Sequence, residues 1–142
     1  MRYIIIFVFF LTSSYAKDIF KYGDFVVDNI HNLYWQDTQE NTTLLKTHQG
    51  AIKYCEELSL AGFDDWYLPT VEQYKFIIDK SKKDIPKIDS SFVYIVNDDY
   101  WTKDSRWQNF YRYGYYVLFK SGNIYYQNKK YPKYVRCIRE NK

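Results

Sequence analysis

Apolar and polar positions follow three regimes along this chain. Residues 1–16 (MRYIIIFVFFLTSSYA) place Arg2 ahead of an unbroken apolar run, Tyr3–Leu11, and close on Ser14-Tyr15-Ala16. A positive start, a short apolar core and a small-x-small end predict a secretory signal peptide cleaved after Ala16. The run is too short to span a bilayer, which takes about 20 residues. Residues 17–27 then alternate in part, which suits a strand or a strand pair broken at Gly23, and Leu33-Tyr34-Trp35 reads as a short aromatic strand. The polar stretch Gln36–Lys46 reads as a loop. It holds a formal glycosylation sequon at Asn41, of consequence only in a eukaryotic secretory route.

The second regime has helical periods. Ala51, Tyr54, Cys55, Leu58 and Ala61 recur on one face, with Thr47 as N-cap and Gly62 as stop, so a helix is expected from about Thr47 to Ala61. A second helix follows Leu68-Pro69. Thr70 and Gln73 match a capping box, and Tyr74, Ile77 and Ile78 supply an apolar stripe to about Lys80. Ser81–Asp89 is rich in Lys and Asp and reads as a solvated loop.

From Phe92 the period shortens to two. Tyr115–Phe119, Ser121-Gly122 and Asn123–Gln127 read as a hairpin, and Tyr134–Arg139 as a third strand with Val135 and Cys137 on one face. Two helices packed on a small twisted antiparallel sheet make an α+β domain. No repeat or linker divides residues 17–142, which are expected to be one domain.

Composition supports a folded chain. Aromatic residues are 22% of the total, with Tyr 17, Phe 10 and Trp 4, far from the aromatic-poor make-up of disordered segments. Cleavage after Ala16 leaves 19 Lys or Arg against 17 Asp or Glu. That near-balance offers no basic excess for nucleic acid. The chain is therefore expected to be exported, periplasmic or secreted, with no membrane span after cleavage. Export favours joining its two cysteines, Cys55 and Cys137, helix to last strand, free or reactive thiols being the alternative.

A series of short motifs carries a family resemblance. Leu33-Tyr34-Trp35-Gln36-Asp37, Ala51 with Tyr54-Cys55, Leu60-Ala61-Gly62-Phe63-x-Asp65-Trp66-Tyr67-Leu68-Pro69-Thr70, Tyr100-Trp101-Thr102 and Val135-Arg136-Cys137-Ile138-Arg139 occur in order. Over roughly residues 26–139 the chain resembles the DUF1566 domain, named also for the C-terminal domain of the Legionella collagen-like adhesin. The resemblance implies a C-type-lectin-like fold, related to the formylglycine-generating enzyme and to hypervariable ligand-binding proteins of retroelements. It implies a bacterial, exported module used in adhesion or ligand binding, with no agreed activity. The chain departs from the family pattern at Tyr67 (usually Arg), Gln73-Tyr74 (usually Glu-Leu) and Asn32 (usually Gly), and it has no collagen-like region.

Candidate chemistry is sparse. The Glu-Pro-Asn and Gln-Pro-Asp sugar–calcium segments of true C-type lectins are missing. Asp98, Asp99, Asp104 and Asn109 are hard oxygen ligands close in sequence, weak calcium candidates whose ordinary reading is solvated loop acids. His31 and His48 lack partners at metal-ligand spacing and are expected at the surface or in loops. No nucleophile, dinucleotide or phosphate motif occurs, and the acid pairs Glu56/Glu57 and Asp64/Asp65 are expected to point apart. No cofactor is implied. The remaining candidate is Trp101–Tyr116 (WTKDSRWQNFYRYGYY), seven of whose sixteen residues are aromatic, with Trp101, Arg106, Trp107, Tyr111, Arg112 and Tyr113 as proposed ligand contacts. Exposed Tyr, Trp and Arg anchor binding sites because they bring area at low entropic cost. Tyrosines filling a sheet face, enriched by an AT-rich genome, are the competing explanation. The expectation is a non-catalytic module for a glycan or an envelope or extracellular protein. A formylglycine-enzyme-like thiol oxidoreductase and an accessory subunit of an envelope complex are the alternatives.

Overall fold

The computed structural model describes residues 17–142; the expected leader over 1–16 lies outside them. The chain opens with β1 (Ile19–Tyr22) and β2 (Phe25–Asp28), the expected pair broken at Gly23, which takes a positive φ of 58°. β3 (Leu33–Gln36) follows. The stretch expected as a loop holds one helical turn, α1 (Glu40–Thr43), and a two-residue strand, β4 (Leu45–Lys46). Asn41 of the sequon is fully buried, its amide donating to the Val135 carbonyl at 2.9 Å.

The two expected helices exist but are shorter. α2 (His48–Glu57) starts at Thr47, whose hydroxyl accepts from the Gly50 N–H at 3.2 Å. It stops a turn early because Leu60 and Phe63 exchange backbone hydrogen bonds around Ala61 and Gly62, both at positive φ. α3 (Val71–Lys75) has the full capping box of Thr70 and Gln73, yet ends before Ile77. Instead the Ile77 carbonyl accepts from the Asp89 N–H and the Asp79 N–H donates to the Lys87 carbonyl, bridging Ile78 to Ile88, which is buried in the core between half-buried polar neighbours.

The C-terminal half is a long hairpin, β5 (Asp99–Gln108) and β6 (Tyr111–Leu118), extended by β7 (Asn123–Asn128). The expected third strand is split. β8 (Lys133–Tyr134) and β9 (Ile138–Glu140) join different sheets, and Val135-Arg136-Cys137 crosses between them. One sheet has the order β1-β2-β3-β9 and the other β4-β8-β5-β6-β7. The α+β class therefore holds, but with three small helices and two sheets in place of two helices on one sheet, and with one parallel contact between β5 and β8.

The first sheet and the base of the second are covered on both faces, while the outer part of β5–β6–β7 is not. Val26, Trp35, Tyr74, Tyr100, Val117, Phe119 and Ile138 form one core; Phe25, Val27, Ala51, Cys55, Trp66, Trp101 and Cys137 form another. Strand alternation explains the split, since successive β2 residues face opposite sides and both sides are apolar. Cys55 and Cys137 are joined, with Cα atoms 5.5 Å apart, as the exported-protein reading expects. No helix among the described residues is long and apolar enough to cross a membrane.

Candidate functional site

The polar groups near the disulfide hold the scaffold. Asp37 is fully buried and its carboxylate accepts from Arg136 at 3.2 Å, from Lys21 at 2.6 Å, and from the N–H groups of Val93 and Tyr94 at 3.0 and 2.9 Å. Arg136, also fully buried, donates to the carbonyls of Gln36 and Tyr94 and lies over the Phe92 ring at 4.9 Å. Burial by itself would raise the Asp37 pKa. The Arg136 charge, Lys21 and the two backbone donors outweigh it and hold the carboxyl below its ordinary 3.8. At the next strand turn, Arg139 forks onto Asp65 at 2.6 and 3.2 Å and covers the Phe63 ring at 3.7 Å. Tyr67, at the position where the family pattern has Arg, accepts from Gln73 Nε2 at 2.9 Å.

One expected ligand contact and one expected surface residue are buried in the scaffold. Trp101 is fully buried, its Nε1 donating to the Lys46 carbonyl at 2.9 Å, so it cannot be a ligand contact. His48 is equally buried, contrary to the expected surface position. Its Nε2 lies 2.8 Å from the Thr102 carbonyl and so carries the proton, which leaves Nδ1 unpartnered. Desolvation lowers the His48 pKa. Gly114 makes this packing possible: a Cβ there would sit 2.6 Å from the His48 ring and 2.8 Å from Trp101.

The weak calcium candidates disperse. Asp104 accepts from the Val71 N–H at the start of α3 at 2.7 Å, Asp99 pairs with Lys133 at 2.8 Å, Asp98 caps the Asp99 N–H, and Asn109 lies at the hairpin tip. Among the described residues no three His, Cys, Asp or Glu are grouped to hold a metal.

The other five proposed contacts are outside the cores, and strand register divides them. Arg106 pairs with Tyr113, Gln108 with Tyr111 and Trp107 with Arg112; on the far strand Tyr115 pairs with Tyr126. Alternation then places Arg106, Tyr111, Tyr113, Tyr115 and Tyr126 on one face and Trp107 with Arg112 on the other. On the first face Arg106 lies 4.6 Å over the Tyr126 ring, and Tyr113 and Tyr115 meet that ring edge-on at 5.5 and 5.9 Å. The Tyr126 hydroxyl reaches Gln108 Oε1 at 3.3 Å. This is a tyrosine platform with a guanidinium and an amide at its rim. Sequence reasoning missed Tyr115 and Tyr126 as members; counting alternate positions back from the Ser121-Gly122 turn would have aligned them.

A concave site was also not foreseen. A cleft of about 370 Å³ opens between β3 and α2, lined by Asp24, Thr38, Glu40, Tyr54, Ser59 and Tyr94. Tyr54 bonds to the buried Gln36 amide at 3.1 Å, so this cleft borders the Asp37 network.

A family model, the Lcl C-terminal domain, matches residues 24–139. No curated protein and no solved structure matches. The matched span runs from β2 to β9 and contains both cores, the disulfide and the tyrosine platform. The chain belongs to the Lcl C-terminal domain family.

Proposed function

We propose that this protein is an exported bacterial binding module of adhesin type, non-catalytic, with a C-type-lectin-like arrangement of its two sheets. Its ligand lies on the Arg106–Tyr113–Tyr115–Tyr126 platform. The observation that carries this reading is the clustering of a cation over one phenol ring, with two more phenols edge-on to it, on one accessible sheet face. Phenol faces pack against sugar C–H surfaces, and their hydroxyls, with Gln108 and Arg106, supply the hydrogen bonds that orient a glycan. Membership in a family named for a bacterial adhesin domain supports the same reading. So does the disulfide, since both thiols are joined and no thiol pair is left for a formylglycine-type oxidation.

A glycan array and an envelope-protein screen with the wild type and with Arg106→Ala/Tyr126→Ala test the proposal. The wild type should capture a defined glycan. The variant should retain its thermal transition and lose at least about tenfold in affinity, as removal of central aromatic and Arg anchors does. Capture of a protein alone would replace the glycan as ligand. Capture that survives in the variant and disappears in Tyr54→Phe/Glu40→Gln would move the site to the β3–α2 cleft.

A further inference from the structure

The tip of the β5–β6 hairpin has features that the platform does not use. Gln108 and Tyr111 pair across a two-residue turn whose residues, Asn109 and Phe110, both have positive φ, 50° and 62°. Turns of this mirror-image kind favour Asn followed by Gly, because a side chain in the left-handed region is strained. Here the second position holds Phe, with 90% of its surface exposed. The most unfavourable residue for the backbone is thus also unfavourable for solvation. Trp107 and Tyr111 flank it, each 62% exposed.

Charge is distributed just as unevenly. From Ser105 to Arg139 the sequence has eight Lys or Arg and no Asp or Glu, although the residues from Lys17 onward are nearly balanced. Three of the eight, Lys133, Arg136 and Arg139, are buried and paired with acids. Arg112 lies over the Trp107 ring at 5.5 Å, and Lys129 is near enough to Arg112 to feel its charge. The acid nearest to the tip along the hairpin, Asp104, is bonded to the α3 N-terminus.

We propose that the hairpin tip is a membrane-interface anchor: Phe110 and Trp107 enter the headgroup–acyl boundary of an anionic bilayer while Arg112 and Lys129 meet the lipid phosphates. Aromatic rings partition to that depth, and each cation near an anionic surface strengthens binding about fivefold. An anchor of this kind lies on a bilayer without spanning it. A protein groove could also seat a Phe, but the acid-free cationic collar around three aromatic rings complements a continuous anionic surface. The inference does not depend on the ligand of the tyrosine platform.

The test uses sedimentation of the purified protein with protein-free vesicles. One set is equimolar phosphatidylcholine and phosphatidylglycerol, the other pure phosphatidylcholine. The wild type should bind the anionic set at least about tenfold more strongly, as the loss of two cation contacts implies. Phe110→Gly should relieve the turn and keep or raise the melting temperature, yet lose most vesicle binding and retain ligand capture by the platform. Trp35, Trp66 and Trp101 are buried, so quenching of Trp emission by lipids brominated in the upper acyl chain reports Trp107. Trp107→Phe should abolish that quenching and keep sedimentation. No association with anionic vesicles, equal binding of both sets, or Phe110→Gly binding as wild type would each overturn the proposal. The first outcome would leave a protein groove as the seat of the tip.

Discussion

Trp101 and Trp107 stand six residues apart on β5 and have opposite fates. Trp101 is sealed between α2 and β6, meets the His48 ring edge-on at 5.1 Å and donates to the Lys46 carbonyl. Trp107 faces solvent and touches chiefly the Arg112 cation across the strand pair. The base of the hairpin belongs to a core locked by a disulfide and a buried ion pair, and its outer half carries only strand pairing. A rigid base with an unburied end is how a fold can present adaptable chemistry, since changes at the end leave the core packing alone. The motif residues that mark the family follow the same division. Trp35, Asp37, Trp66, Trp101, Arg136 and Cys137 are all buried, so they define the scaffold, while the platform and the tip lie between the motifs.

The strongest way to break the contrast is to open the base. Replacing Cys55 and Cys137 together by Ala releases a cross-link over 82 residues and should destabilise by about 4.5 kcal/mol in the chain-entropy model. Urea denaturation checks this. Arg136→Met leaves the buried Asp37 charge with Lys21 and backbone donors only, and should destabilise by about 3–5 kcal/mol, as breaking a buried pair does. Gly114→Ala comes next. Its Cβ would overlap two rings that have nowhere to go, and overpacking of this kind destabilises by about 1–3 kcal/mol. A Gly114→Ala protein as stable as wild type would mean that His48 and Trp101 are not in contact through this gap.

Acid should loosen the same base in two steps. His48 has its folded pKa lowered below 6.5, so the unfolded chain binds that proton first; its contribution is complete above 6.5 and declines as pH falls below it. Asp37 has its folded pKa lowered below 3.8, so its contribution is complete above 3.8 and is lost as pH falls through the folded value. Unfolding midpoints in urea should therefore fall monotonically on acidification. In His48→Gln the first decline should be missing and the second retained.

Local rules made part of this legible. The Thr70–Gln73 capping box and the Gly23 break depend on neighbours three residues apart or fewer, and both stand as the sequence implies. The length of α3 was not legible, because the apolar stripe of Ile77 and Ile78 serves a bridge to Ile88 as well as it would serve a helix. Asp37 and Arg136 are 99 residues apart, beyond any periodicity. The site suffered most from one irregularity. Between Trp101 and Ser105 the β5–β6 register shifts, four residues on β5 matching two on β6, from Tyr116 to Gly114. The two extra residues preserve the alternation of faces, so Trp101 and Trp107 keep one parity although the hairpin beyond the bulge runs past the core. The aromatic cluster from Trp101 to Tyr116 therefore looked uniform, when its first member is core and most of the others are not.

The smallest expected effect sharpens the comparison most. Trp107→Ala removes a cross-strand contact with Arg112 at an exposed site, where such cation–π pairs contribute about 0.5–1 kcal/mol. Trp101→Ala, a change of the same side chain on the same strand, removes a fully buried ring and should destabilise by about 3–5 kcal/mol. Measured side by side by urea denaturation, the pair should differ at least about threefold on these magnitudes. Similar losses at both positions would mean that the outer hairpin is packed against something in solution, as self-association would arrange. Sedimentation velocity on the wild type would then show a species larger than the monomer. A small loss at Trp107 combined with loss of vesicle binding would separate the ring's role in recognition from any role in folding.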